Sequence, residues 1–212
     1  MALKKRSGQE GFLVTDISPL FSEEGEKAIN ECFREEMAKA DRVEISVAFC
    51  AGDSLQEVDD SVKKEKIQNI CLILGMYYFI GLNPKLHTVV VKMNDEWKKK
   101  GIGEKRLVNY FPHHGKLYCF YKNDRLFSAI IGSPNLSFLK KPRQYEIAQL
   151  VHEHSWLMNY QKHIKKLKSY RFSKNVADLE QYKSIDTKEI IVNGKAKEIT
   201  KITYTKKLLA RW

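Results

Sequence analysis

The stretch YFPHHGKLYCFYKNDRLFSAIIGSPNLS, Tyr110 to Ser137, places His114 two residues before Lys116 and ends, after an apolar run, in Gly-Ser-Pro-Asn-Leu-Ser. A histidine supplies a nucleophile or an acid, a lysine a fixed positive charge, and an asparagine a neutral donor. Phosphoryl transfer asks for those parts. Charge on the equatorial oxygens must be stabilised while one group attacks in line and another protonates the leaving oxygen. Metal ions usually provide that charge; here Lys116 can replace them.

Such chemistry works only if His114, Lys116 and Asn135 converge, so the elements around them must bring two distant segments together. From Glu104 onward the pattern is strands in quick succession: EKRLVNYF, GKLYCFYK, LFSAIIGS and QYEIAQLVHE. Lys122-Asn123-Asp124-Arg125 is a hairpin turn signal between the second and third. This places His114 and Lys116 on one strand, on the same face by alternation, with His113 aimed away and Asn135 just beyond the next strand. Upstream, Ala28, Ile29, Cys32, Phe33 and Met37 recur at helical spacing in EEGEKAINECFREEMAKA, a helix expected to be capped near Ser22. RVEISVAFC alternates Val43, Ile45, Val47 and Phe49 as a strand does. ICLILGM and LHTVVVKM read as short buried strands, and DSLQEVDDSVKKEKIQ before them and NDEWKKKG after them as helix or loop. The fold class is α/β, a sandwich around a mixed central sheet.

The chain has 212 residues, with 37 Lys+Arg against 26 Asp+Glu and a net charge of +11. That balance favours a polyanionic partner, nucleic acid or an acidic membrane surface. No apolar run approaches the roughly 20 residues of a bilayer span, and MALKKRSGQEGF lacks the apolar stretch of a signal peptide, so the expected location is cytoplasmic. Much of the charge is local: residues 161–174 carry Lys162, Lys165, Lys166, Lys168, Arg171 and Lys174 and no acid. These are candidate DNA phosphate contacts or a solvated helix face. The expected organisation is a catalytic domain over 1–160, then a basic linker and a C-terminal hairpin across Asn193-Gly194 over 161–212. The close at LLARW reads as the start of a further domain lying beyond this sequence, which the resemblance given below would make a DNA-recognition domain. Cys32, Cys50, Cys71 and Cys119 are scattered in apolar surroundings and read as reduced core residues. His152 and His154 share a strand face but lack further ligands for a metal. No metal or other cofactor is expected.

Taken together, H-x-K at His114 and Lys116, G-S-x-N at Gly132 to Asn135, and Glu146 resemble the signature of the phospholipase D superfamily. The resemblance implies that His114 attacks phosphorus to form a covalent phosphohistidine and that Lys116 and Asn135 hold the phosphoryl oxygens. It implies further that Ser133 lines the pocket and Glu146 orients an imidazole, with Ser137 positioned to add a hydrogen bond. The acid commonly found five residues after the lysine is replaced by Tyr121, a departure from the phospholipid-processing branch. VEISVAFCAGDSL, GEKRLVNYFPHHGKLYCF, AIIGSPNLS and RQYE resemble, over roughly residues 10–160, the catalytic domain of the NgoFVII family of metal-independent type II restriction endonucleases. What this implies is a metal-independent phosphodiesterase acting on double-stranded DNA. Because one H-x-K supplies either the nucleophile or the acid, a homodimer with its active site on the two-fold axis is expected. Two rival readings are a phosphatidyl-transferring or phospholipid-hydrolysing enzyme and a catalytically silent nucleic-acid-binding module. The missing acid and anchor oppose the first, and the intact His, Lys, Asn and Glu set opposes the second.

Overall fold

The structure, a computed structural model, describes residues 11–20, 23, 26–140, 142–179, 181–192 and 195–206, the last two ranges by their backbone only. Ser22 and Asn193-Gly194, expected as a helix cap and a hairpin turn, lie outside the described residues.

In chain order the elements are β1 (Gly11–Val14), β2 (Lys27–Ala28), α1 (Ile29–Lys39), β3 (Arg42–Val47), α2 (Gly52–Lys64), β4 (Asn69–Leu74), α3 (Tyr77–Ile80), α4 (Pro84–Lys99) and β5 (Gly103–Val108). They continue with β6 (Leu117–Lys122), β7 (Arg125–Gly132), β8 (Ile147–Val151), α5 (His154–Leu167), β9 (Ser173–Asn175), β10 (Gln181–Val192) and β11 (Lys195–Lys206). Nine strands form one sheet in the order β2-β1-β8-β7-β6-β3-β4-β5-β9. Strands β3, β4 and β5 run parallel, whereas β6 to β8 follow one another antiparallel, so the sheet is mixed as expected. The hairpin between β6 and β7 turns through Asn123 and Asp124, both at positive φ, the type I′ geometry that matches strand twist.

Alternation sorts the core. On β6, Tyr118 and Phe120 join Phe33 of α1 on one face, while Leu117, Cys119 and Tyr121 join Leu157 and Ile164 of α5 on the other. On β4, Ile70, Leu72 and Leu74 share the first face with α2 and α4, and Cys71 and Ile73 meet Leu167 on the second. Covered on both faces, these strands read as continuous apolar runs. All four cysteines are free and buried, and burial pushes the thiols of Cys32, Cys50 and Cys71 up to about 12.

Three expectations need correction. LHTVVVKM is not a strand but lies in α4, because Asn83 caps that helix by accepting from the Leu86 N–H at 2.8 Å and Pro84 pre-sets its first turn. Val90, Met93, Asn94 and Trp97 then bury one helical stripe. Second, α1 begins only at Ile29, since Lys27 and Ala28 pair in parallel with Leu13 and Val14. Third, His114 and Lys116 precede β6 in an extended segment outside the ladder, which starts at Leu117.

The boundary expected at 160 falls inside α5, and β9 joins the sheet against β5 through Val108↔Ser173 and Arg106↔Asn175. Strands β10 and β11 form a separate antiparallel pair in which Val192 faces Lys195. Among the described residues no helix is long and apolar enough to cross a membrane.

Candidate active site

The parallel strands β3 and β4 end side by side, and the extended segment before β6 crosses that end. His113 N–H donates to Gly75 O at 3.1 Å just beyond β4, and a Cβ at Gly75 would lie 1.9 Å from the His113 carbonyl oxygen. Only glycine lets the two backbones approach so closely. The His113 ring turns to the α5 face, its Nε2 2.9 Å from Ser46 Oγ and its centroid 5.8 Å from that of His163. Burial first, then the charges of His163, His114 and Lys116, push its pKa down to about 4. A neutral ring pinned to β3 anchors the segment while His114, one residue on, points to the opposite side.

There His114 stands edge-to-face with Phe49 at 5.9 Å, and Lys116 Nζ lies 2.8 Å from His114 Nδ1. The second half of the site comes from the β7–β8 connection. Gly132 closes β7 where a Cβ would meet Ile147 O at 2.4 Å, so that loop must leave the strand through glycine. The loop is then zipped onto the exit of β3: Leu136 N–H donates to Phe49 O at 3.2 Å and Ala51 N–H to Leu136 O at 2.9 Å. From beneath, the buried Tyr118 hydroxyl donates to Pro134 O at 2.8 Å. Phe49 N–H donates to Asn135 Oδ1 at 3.0 Å. Fixing the amide oxygen on backbone aims the Nδ2 group, two donors and no acceptor, away from that anchor and available to an anion.

Ser133 Oγ bonds a Glu146 carboxylate oxygen and accepts from Ile147 N–H at 3.1 Å. Glu146 is itself pinned to β1, its N–H donating to Thr15 Oγ1 at 3.1 Å and its O accepting from Thr15 N–H at 3.0 Å. Burial lowers the pKa of Lys116, and the negative Glu146 opposes that shift, so the two belong to one electrostatic environment. Asn135, Ser137 and Glu146 line an open cleft of about 620 Å³ that continues past the first turn of α2 to Arg143 and Gln144. The structure thus brings His114 to Lys116 and Ser133 to Glu146, and lines the cleft with Asn135, Ser137 and Glu146 but not with His114 or Lys116; Phe49, which meets both His114 and Asn135, links the two groups.

The His114–Lys116 contact has a chemical consequence. An ammonium donating to Nδ1 leaves the neutral ring's proton on Nε2; a ring attacking through Nε2 must instead carry its proton on Nδ1 and needs an acceptor there, and a ring acting as acid carries both protons. Within one chain the Glu146 carboxylate is engaged by Ser133.

The basic candidates divide. Lys162, Lys165 and Lys168 border a second cleft of about 520 Å³ with Arg42 and Glu44, toward the beginning of β3. Lys168 is held there by the buried Glu44 at 2.6 Å, alongside the Tyr121 hydroxyl at 2.7 Å and Arg42 at 3.3 Å. Burial pushes the Glu44 carboxyl up, but Lys168, Tyr121 and Arg42 together hold it below the usual carboxylate range. Lys166 is exposed on α5 and Arg171 is exposed near the exit of β5. Sequence reading missed two residues at the His114 site: Phe49, whose N–H orients Asn135, and His113, which anchors the segment.

A mixed sheet carrying H-x-K at one strand end and G-S-x-N at another is the arrangement of a phospholipase D-like domain. Residues 27–181 match the model of the NgoFVII restriction endonuclease N-terminal PLD domain, and the chain belongs to that family. Its fold is similar to that of Nuc, a phospholipase D family member from Salmonella typhimurium, with a TM-score of 0.50 and 16% identity over 80% of this chain and 97% of that one. It is also similar to phosphatidylserine synthase from Haemophilus influenzae Rd KW20, with a TM-score of 0.55 and 13% identity over 81% of this chain and 41% of the synthase. At these identities the likeness concerns the fold. No curated protein matches the chain.

Proposed function

We propose that the chain is a DNA phosphodiesterase that cleaves through a covalent phosphohistidine on His114, without a divalent metal, as a homodimer. The observation that carries this is that Phe49 joins the two halves of the site, its ring 5.9 Å from that of His114 and its N–H fixing the Asn135 amide oxygen at 3.0 Å, with Lys116 held at the same imidazole. A cation and two aimed donors then face the place where oxygen charge develops in the transition state. The family match spans these residues and favours nucleic acid over phospholipid as substrate.

In this reading Lys116 turns from Nδ1 to the phosphate, the ring proton moves to Nδ1, and His114 Nε2 attacks phosphorus; the P–O bond to the leaving strand breaks as the doubly protonated His114 of a second copy gives that oxygen its proton. The second imidazole next deprotonates a water, which attacks phosphorus and breaks the P–N bond, restoring the first histidine. One chain holds one such imidazole, and its Glu146 is engaged locally, so the copy across a two-fold axis completes the site.

Plasmid cleavage in excess EDTA, with the ends mapped, tests the metal-independent step. Activity is expected to persist within about twofold, because Lys116 and Asn135 carry the charge stabilisation; activity lost on chelation and restored by Mg²⁺ refutes it. The dimer has its own test. When His114→Ala chains are exchanged into wild-type dimers, activity should fall as the square of the wild-type fraction, and a linear fall would show that each chain carries a complete site.

A further inference from the structure

Beyond the His114 site, the same end of the sheet carries an aromatic and cationic cluster that this mechanism does not use. Asn109 N–H donates to Phe172 O at 3.1 Å, tying the exit of β5 to the entrance of β9. Around that bond Phe172 packs on Tyr110 at 5.6 Å and on Phe111 at 5.7 Å between ring centroids. The Arg171 guanidinium lies 5.8 Å from the Tyr110 ring and 5.4 Å from Phe172, and Lys174 Nζ lies 5.2 Å from the Tyr170 ring. Phe111 reaches into the core, but Tyr110 is 60% exposed and Tyr170 67%. Among the described residues neither Arg171 nor Lys174 forms an ion pair, and no Asp or Glu occurs between Glu153 and Asp178.

We infer that Tyr110 and Tyr170, flanked by Arg171 and Lys174, form a stacking platform for unpaired bases of a nucleic-acid strand. Position supports this. The β5 exit is one strand spacing, about 4.8 Å, from the β4 exit where His113 is anchored. Tyr110 to His114 is four residues, which reach at most about 14 Å. A strand whose phosphate sits at His114 can therefore reach the cluster within about two nucleotides by passing over the ends of β4 and β5. Charge supports it as well, since uncompensated cations suit a polyanion and an acidic partner surface alone gives no reason for two largely exposed tyrosine rings beside them. A duplex hides its base faces inside the stack, so an aromatic surface gains from bases only where the strand is unpaired. Stacking of this kind is worth about five- to hundredfold in affinity per base.

The inference deepens the nuclease reading and rests on it only for where the strand leads. Its test is equilibrium binding by fluorescence anisotropy at one fixed salt concentration, on the full-length chain carrying His114→Ala so that probes survive. The probes are a single-stranded thymidine oligomer, an abasic oligomer with the same number of phosphates, and a hairpin duplex with that number too. The thymidine oligomer is expected to bind at least about tenfold more tightly than the abasic one. Tyr110→Ala with Tyr170→Ala should remove that difference and leave duplex affinity unchanged, whereas the two Tyr→Phe changes should keep it. Equal affinity for the thymidine and abasic probes overturns the platform even if the alanine pair fails to fold, and so does an equal loss for duplex and single strand. A wild-type chain that binds bases yet cleaves no phosphodiester would remove the nuclease reading and leave the platform; cleavage with base-independent binding would do the reverse.

Discussion

His114→Ala should lower DNA cleavage by at least about 10⁴-fold while changing DNA affinity by less than about threefold. In the proposed mechanism the imidazole serves both half-reactions, as nucleophile in one copy and acid in the other, so its loss would remove two contributions that no neighbour replaces. His113 cannot substitute: its ring is held by Ser46 on the far face and burial keeps it neutral with a pKa near 4. Binding should survive because His114 is exposed and the Asn135–Phe49 and Ser133–Glu146 contacts do not depend on it. Lys116→Ala and Asn135→Ala should cost less, about 10²–10³-fold each, as losses of one charge or one pair of donors. Asn135→Asp should cost more than Asn135→Ala, because a carboxylate would repel the phosphate oxygens. The measurement is single-turnover cleavage beside equilibrium binding of the same duplex. Residual cleavage by the His114 variant above about 1% of wild type would assign the nucleophile elsewhere.

The local half of this site was legible in the sequence, because alternation along β6 and β7 and the Asn123-Asp124 turn fix where their ends meet. The spacing of His114 to Lys116 needs only an extended backbone, which holds although the pair stands before the ladder rather than in it. The remote half was not legible. Asn135 is oriented by Phe49, 86 residues away, and that contact depends on how the β7–β8 loop docks on the exit of β3. Local sequence carries no information about such docking. Lys168 looked like one more free cation of a basic run, until folding laid α5 across β3 and brought it to Glu44. The misreading of LHTVVVKM has a local cause: three β-branched valines imitate a strand, and the deciding signal, Asn83-Pro84, lies just upstream of them. Nothing in the sequence places the candidate residues of one copy against those of another.

Alternation also held a signal that composition hides. In β5, Lys105 shares a face with Leu107, and Leu107 is a core residue, so the lysine must enter the core. Its side chain is fully buried over the Trp97 ring, with Nζ 3.2 Å from the ring centroid and, among the described residues, no hydrogen-bond partner. Burial drives its pKa down from the ordinary 10.5 to about 7, against the weaker opposing charges of Asp59, Cys50 and Glu96. Between pH 7 and 10.5 the unfolded chain then holds a proton that the folded chain lacks, so stability rises with pH across that window. At or below about pH 7 the penalty is full, roughly 4 kcal/mol, of which attraction of the ammonium to the indole face returns up to about 2 kcal/mol. Lys105→Met keeps a long flexible stem in the same space and removes the ionisable group. It should therefore stabilise the protein at pH 7 by about 2–3 kcal/mol, a Tm increase of about 5–10 °C for a chain of this size. Toward pH 10.5 most of that gain should disappear, because the wild-type lysine becomes neutral in both states. Denaturant unfolding of both chains at several pH values between 6.5 and 10 reads the difference directly. A gain that stays constant with pH, or a loss of stability at pH 7, would mean that the buried ammonium is better accommodated by Trp97 and Asp59 than its burial implies.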